Sequence, residues 1–238
     1  MTETSYNLLP GQNLGNHYKI IEFLGSGWEG EVYKVEERQT GIVRAAKIFY
    51  SRRSMRKAPL LKYARKLYKL RSCSIITQYH HRGVARFNDH PIDFLVSDFV
   101  DGEMLSAFLA RQKKKRLSTF EGLHLFYALT IGVEQIHFLG EYHGDIHSDN
   151  IIVSRRGLGF DIQLLDFFDL GRPNRDRIQN DVYDLINILY EIIGEADGYR
   201  KSSANVRQII KGRKHSLISR RFKTAGHVRL ALDNLDWE

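Results

Sequence analysis

The sequence predicts an α+β fold in two lobes, a β-rich front carrying one helix and a helical back. Three observations predict it. Strand-like runs crowd the stretch from Tyr18 to Ile48, and helical periodicity takes over after Gly102. No internal repeat or low-complexity linker divides the 238 residues, a length that suits one large domain or two small lobes.

Residues 1–17, with Pro10, Gly11 and Gly15, read as an extended lead-in. YKIIEFL, EVYKVEE and GIVRAAKIF are three candidate strands, split by a glycine cluster and by the turn RQTG. Between Pro59 and Leu70 the period becomes helical. Leu60, Ala64 and Leu67 form one stripe, with Lys62, Arg65, Lys66 and Lys69 around it. PIDFLVSDFV returns to strand, and the lobe boundary is expected near Asp98 to Gly102, giving lobes of 18–97 and 98–238. Met104 to Arg116 reads as a short amphipathic helix and Phe120 to Leu139 as a longer one, apolar on most sides. Two β runs, NIIV and FDIQLLDF, precede an apolar helix from Asp181 to Ile193.

Composition narrows the function classes. At 42% hydrophobic and 27% charged residues the chain is globular material. The single cysteine, Cys73, excludes an intrachain disulfide framework and a Cys-rich zinc site. The start, MTETSYNLLPGQNLG, lacks the pattern of a secretory signal. The most apolar window, Val182 to Ile193, is interrupted by Asp184, Asn187 and Glu191 and is too short to span a bilayer. The expectation is a cytoplasmic protein with no membrane partner. Thirty-six Lys and Arg against 28 Asp and Glu, a net charge of +8, favour anionic partners.

Four segments carry chemistry. GSGWEGEV sets Gly25, Gly27 and Gly30 in a G-x-G-x-x-G-x-V arrangement, followed by strand formers rather than a helix. Such a hairpin flap lets backbone approach phosphates closely, although a plain β-turn has the same signature. In RAAKIF, Ala45 and Lys47 face the same way on an alternating strand, a small residue beside a cation. HGDIHSDN offers the Asp145 carboxylate as proton acceptor and, five positions on, the Asn150 amide oxygen as a ligand for a hard cation. LLDFF ends a strand on Asp166, a second carboxylate for the same metal.

In this order and spacing the motifs resemble those of the protein kinase superfamily, over roughly residues 18 to 193. The resemblance implies a two-lobed protein-kinase-like fold, with ATP and Mg²⁺ as cofactors. It implies that Gly25, Ser26, Gly27 and Gly30 cover the phosphates, that Lys47 contacts them, and that Val32 and Ala45 sandwich adenine. FLVSDFVDGEML resembles the hinge, with Ser97 as gatekeeper and Asp98, Phe99 and Val100 offering backbone to adenine. Asp145 takes the place of the catalytic base, Asn150 and Asp166 of the metal ligands. His143 and Asp181 would support the loop.

The sequence also departs from that pattern. The resemblance requires a glutamate on the helix after Lys47, yet no acidic residue occurs from Arg38 to Asn88, and Tyr63 stands about where it belongs. Glu29 and Glu31, the carboxylates of the flap, are the candidates to replace it. The catalytic loop reads HGD and carries His147, like aminoglycoside and other small-molecule kinases. Asp166-Phe167-Phe168 lacks the glycine of the family's metal motif. Only fifteen positions separate Asp166 from Asp181, so the activation segment is short, and about forty-five residues follow Ile193.

From Arg44 to Arg71 there are eleven Lys or Arg and no acid, with further clusters at Lys113–Arg116, Arg213–Lys214 and Arg220–Lys223. Solvated helix faces explain such runs, and so does docking of an acidic protein or a phosphorylated ligand. No RNA- or DNA-binding motif accompanies them, so nucleic acid is not favoured. His80, His81 and His90 lack a metal spacing and read as loop or strand-end residues. The leading expectation is a compact Ser/Thr protein kinase. The alternatives are a small-molecule kinase and a catalytically impaired scaffold.

Overall fold

The computed structural model describes residues 5–27, 29–50, 57–157, 159–167 and 171–235, without the side chains of residues 57–59. Trp28 of the flap, Phe168 of the metal motif, and Arg52, Arg53 and Arg56 of the basic run lie outside the described residues. The chain forms two compact units, Met1–Arg71 with Thr77–Val100 and Ser72–Ile76 with Asp101–Glu238. The first is sheet-built and the second mostly helical, the α+β division that the sequence predicts.

The sheet of the first unit contains β1 (Asn13–Leu14), β2 (Tyr18–Ser26), β3 (Gly30–Glu37), β4 (Val43–Phe49), β5 (Tyr79–Phe87) and β6 (His90–Asp98). All neighbours are antiparallel, in the order β1-β2-β3-β4-β6-β5. Period-two patterning assigns its two faces. Tyr33, Val35, Ala46, Ile48, Phe94 and Val96 are fully or almost fully buried on one face, closed by Tyr6 and Leu14 of the lead-in. On the other face, Phe49 and Leu95 pack against Leu60 and Ala64 of helix α1 (Lys57–Lys69). The stripe expected of α1 is therefore its buried face. Lys66, expected on the solvated flank, is buried as well.

Strand β5 is absent from the sequence reading, and it places His80 and His81 near its start, while His90 opens β6, in line with the strand-end alternative. The pattern of β5 hides it. Only Ala85 is buried, so the apolar alternation that marks a half-buried strand is missing, and pairing along the length of β6 makes it a strand.

The second unit begins with Ser72–Ile76. Ile76 forms a parallel bridge with Leu164, and Leu164 N–H donates to Ile75 O at 2.7 Å. Strand β7 (Glu103–Met104) leads into α2 (Leu105–Arg111) and a 3₁₀ turn at Lys113–Lys115, so the expected single helix to Arg116 is broken. Lys114 and Lys115 adopt left-handed backbone there, with φ of 62° and 52°. Helix α3 (Thr119–Phe138) starts on a capping box. Ser118 Oγ accepts from Glu121 N–H, and the Glu121 carboxylate returns to Ser118 N–H. Leu125, Phe126, Leu129, Val133 and Ile136 have no exposed surface, as its apolar sides predict. At Gly132 a Cβ would lie 2.4 Å from Ile75, so only glycine lets that segment pack against α3.

Strands β8 (Ile151–Arg156) and β9 (Gly159–Leu164) make a three-stranded antiparallel sheet with β7. Helix α4 (Arg175–Ile192) starts before the expected Asp181, because Asn174 Oδ1 caps it by accepting from Arg177 N–H. Among the described residues four short α-helices follow: α5 (Glu195–Lys201), α6 (Ala204–Ile210), α7 (His215–Arg221) and α8 (Ala225–Asp233). Among the described residues no helix is long and apolar enough to cross a membrane.

Candidate active site

In the first unit the glycine flap is the β2–β3 turn. Gly27 N–H donates to Gly30 O at 2.9 Å, and Tyr50 N–H donates to Glu29 O at 3.0 Å, which fastens the tip to the end of β4. Gly30 opposes Phe49, and a Cβ at Gly30 would lie 2.0 Å from Ile48 O. The sequence needs glycine here for close strand packing. At Gly25 and Gly27 a Cβ would meet nothing within 4 Å, so no described side chain or backbone fills the space beside those two positions. Ser26 pairs with Glu31 at the end of β2.

Register then lines up the candidate residues. Gly25 opposes Val32 and Val32 opposes Lys47, while Ala45 opposes Ser97. Ala45 and Lys47 lie on the face opposite the buried Ala46 and Ile48, as alternation predicts. Lys47 Nζ donates to Glu29 Oε2 at 2.8 Å, and the two side chains are 13% and 16% exposed. The Tyr63 ring centroid is 5.5 Å from Nζ, and that of Phe49 is 5.7 Å away. Glu31 has a different task. Almost fully buried, it accepts from Ser5 Oγ at 2.6 Å, from Tyr6 N–H at 2.9 Å, and from the Tyr33 hydroxyl, anchoring the lead-in to β3. Burial, and then that carboxylate, push the Tyr33 hydroxyl well above the usual tyrosine range.

Asp98, Phe99 and Val100 follow β6 in the same unit. The Asp98 carboxylate accepts from Arg44 and bonds His80 Nε2, both at 2.6 Å, and its N–H donates to Gln78 O at 3.1 Å. Lys34 Nζ sits 4.4 Å from the Phe99 ring centroid. Sequence reasoning gave no signal for the Arg44–Asp98–His80 cluster, because nothing local marks partners on three different strands.

In the second unit, residues 143–150 run from α3 toward β8 and are held from beneath. Asp181, with no exposed surface, accepts His143 N–H and Gly144 N–H at 2.7 Å each and bonds His137 Nε2 at 3.1 Å. His143 Nε2 bonds Leu165 O at 2.9 Å, and Asp145 N–H donates to His143 Nδ1 at 3.2 Å. Both contacts are met by the ring with its single proton on Nε2. The ring packs 4.6 Å from that of Phe167.

Asn150 Nδ2 donates to Asp145 O at 3.0 Å and to Asp145 Oδ2 at 3.1 Å. That fixes the carboxylate and leaves the Asn150 amide oxygen pointing the other way. Leu165 N–H donates to Asn150 O at 2.8 Å, and Ile151 pairs with Leu164, so Asp166 and Asn150 share one end of the β8–β9 ladder. Asp166 adopts φ of 50°, a left-handed turn that ends the strand run. Among the described residues no group of three His, Cys, Asp or Glu gathers as a metal cage. The donor set, one amide oxygen and one carboxylate, suits Mg²⁺, which keeps water and phosphate oxygens as its other ligands.

His147 Nε2 lies 3.5 Å from Asp145 Oδ2. Behind the loop, burial together with the charges of Asp181 and Asp145 raises the Asp184 carboxyl to about 7. Glu191 is also raised, by burial first. His137 is the supporting residue that sequence reasoning missed, since its partners lie in α4 and, through Ala225 N–H donating to Nδ1 at 3.2 Å, at the start of α8.

The serine/threonine-protein kinase tricornered of Drosophila pseudoobscura pseudoobscura is 29% identical over 171 residues, covering 69% of this chain and 35% of that protein. The putative cyclin-dependent kinase F-2 of Oryza sativa subsp. japonica is 28% identical over 153 residues, covering 63% and 46%. The chain thus spans from about a third to less than half the length of these relatives. In fold it is similar to the Mycobacterium tuberculosis PknI kinase domain, with a TM-score of 0.71 at 18% identity, covering 95% of this chain and 98% of that one. The family model of the protein kinase domain matches residues 18–193, most of the sequence, and the chain belongs to that family.

Proposed function

We propose that the chain is an ATP-dependent phosphotransferase, a compact Ser/Thr protein kinase whose residues 18–97 hold the nucleotide and whose residues 98–238 carry the transfer. The observation that carries this reading is the Asp145 carboxylate, fixed by Asn150 Nδ2 on a loop whose backbone is pinned by buried Asp181. Such a carboxylate accepts the proton of a serine or threonine hydroxyl as its oxygen attacks the γ-phosphorus. The bond from that phosphorus to the β–γ bridging oxygen breaks, and ADP leaves. Lys47 and the flap residues Gly25, Ser26, Gly27 and Gly30 receive the phosphates, Val32 and Ala45 flank adenine, and Asp98–Val100 supply its backbone contacts. Asn150 Oδ1 and Asp166 would hold Mg²⁺, which when bound would neutralise charge on the phosphates.

A second reading, transfer to a small molecule, is favoured by one observation, His147 beside Asp145 at 3.5 Å. Labelled ATP offered with generic Ser/Thr protein acceptors and with hydroxylated small cations separates the two. The expected result is a thermal shift with Mg-ATP and label on protein. Asp145→Asn lowers transfer by at least about a hundredfold while keeping the shift. Label only on the small molecule supports the second reading. A wild type that neither shifts nor transfers overturns both and leaves a scaffold.

A further inference from the structure

We infer that Glu29, on the flap, is the positioning residue for Lys47, in the role that the resemblance gives to a glutamate on the following helix. The inference rests on the reading of this unit as a nucleotide site. Its ground is geometric. Glu29 Oε2 lies 2.8 Å from Lys47 Nζ. The Glu29 backbone is itself fixed, because Tyr50 N–H donates to its carbonyl and Gly30 packs directly against Ile48 O. A side chain held at that tip projects over the face where Lys47 stands. Both partners are mostly withdrawn from water, so their attraction is weakly screened.

Helix α1 has exchanged a charge for a ring. Tyr63 meets the same ammonium with its π face at 5.5 Å, a contact that steadies a cation without neutralising it. The anion has moved from the helix to the phosphate flap, and this has a consequence for binding. Glu29 and the incoming phosphate oxygens approach one ammonium, so flap position and lysine position change together. A helix glutamate would set the lysine whatever the flap did. Neighbouring Glu31 cannot substitute, since it is committed to Tyr33, Tyr6 and Ser5.

The test uses the full chain carrying Glu29→Gln, the double variant Glu29→Gln with Tyr63→Glu, and Glu36→Gln, an exposed charge near the far end of β3, as control. The readouts are kcat and KM for ATP, the Mg-ATP thermal shift, and the melting temperature without nucleotide. Glu29→Gln is expected to raise KM and lower kcat together, up to about a hundredfold in kcat/KM, with the melting temperature nearly unchanged. Returning a carboxylate at position 63 is expected to recover at least about tenfold of that loss. Glu36→Gln should match wild type. An active wild type with an unaltered Glu29→Gln overturns the inference and leaves the kinase reading standing. So does a loss confined to kcat, accompanied by a lower melting temperature and no recovery in the double variant, which marks Glu29 as merely structural. A wild type that binds no nucleotide overturns both.

Discussion

Asp184 shows how a single residue records its surroundings. Its carboxyl is raised to about 7 against an ordinary 3.8, by burial first and by Asp181 and Asp145 second. Between those two values the folded chain binds a proton that the unfolded chain has released. This contribution therefore weakens as pH rises from about 4 to about 7 and is flat above. Replacing Asp184 by Asn removes the titration. Melting temperatures of the two proteins should converge near pH 4, and the variant should be the more stable one at pH 8. Parallel curves across that range would contradict the assignment. At this scale residue type and spacing singled out Lys47, Asp145, Asn150 and Asp166 as candidates. They left open which carboxylate meets Lys47, because Glu29 reaches it through the fold of a hairpin. They gave no hint of His137, whose partners are 44 and 88 positions away.

Elements were legible to the extent that their patterns were local. The three strands of the flap region, α1 and α3 follow from period and punctuation. Strand β5 does not, since its stability comes from its neighbour rather than from its own alternation. The start of α4 was missed although Asn174 carried the cap signal. The capping box of α3 makes a simple prediction: Ser118→Ala should cost about 1 kcal/mol, read from chemical denaturation, because Glu121 N–H loses its side-chain acceptor. The flap makes a sharper one, because its three glycines do different work. Gly30→Ala drives a methyl into Ile48 O and should cost about 1–3 kcal/mol by strand displacement. Gly25→Ala and Gly27→Ala place theirs in open space and should leave the melting temperature alone while weakening the Mg-ATP shift. Equal destabilisation by all three would show that the flap glycines serve the strand turn and nothing more.

On the scale of the whole molecule, α8 is built firmly into the second unit. Ala225, Val228 and Leu232 have no exposed surface, Arg229 reaches Glu134 at 2.5 Å, and the Tyr127 hydroxyl donates to Asp233 at 2.8 Å. The same helix supplies Ala225 N–H to His137, whose other nitrogen bonds Asp181, the acceptor for the backbone of His143. A helix late in the chain thus supports a loop far earlier in sequence through a single imidazole. Leu232→Ala removes buried volume and should cost about 2–5 kcal/mol, a large share of the roughly 5–15 kcal/mol that stabilises a domain. Leu230→Ala, at a side chain 52% exposed on the same helix, should change stability by about 0.5 kcal/mol or less. If α8 acts through His137, Leu232→Ala should also lower phosphate transfer at temperatures where the protein remains folded by circular dichroism, with Leu230→Ala unaffected. A transfer rate that follows only the folded fraction would confine α8 to holding the unit together.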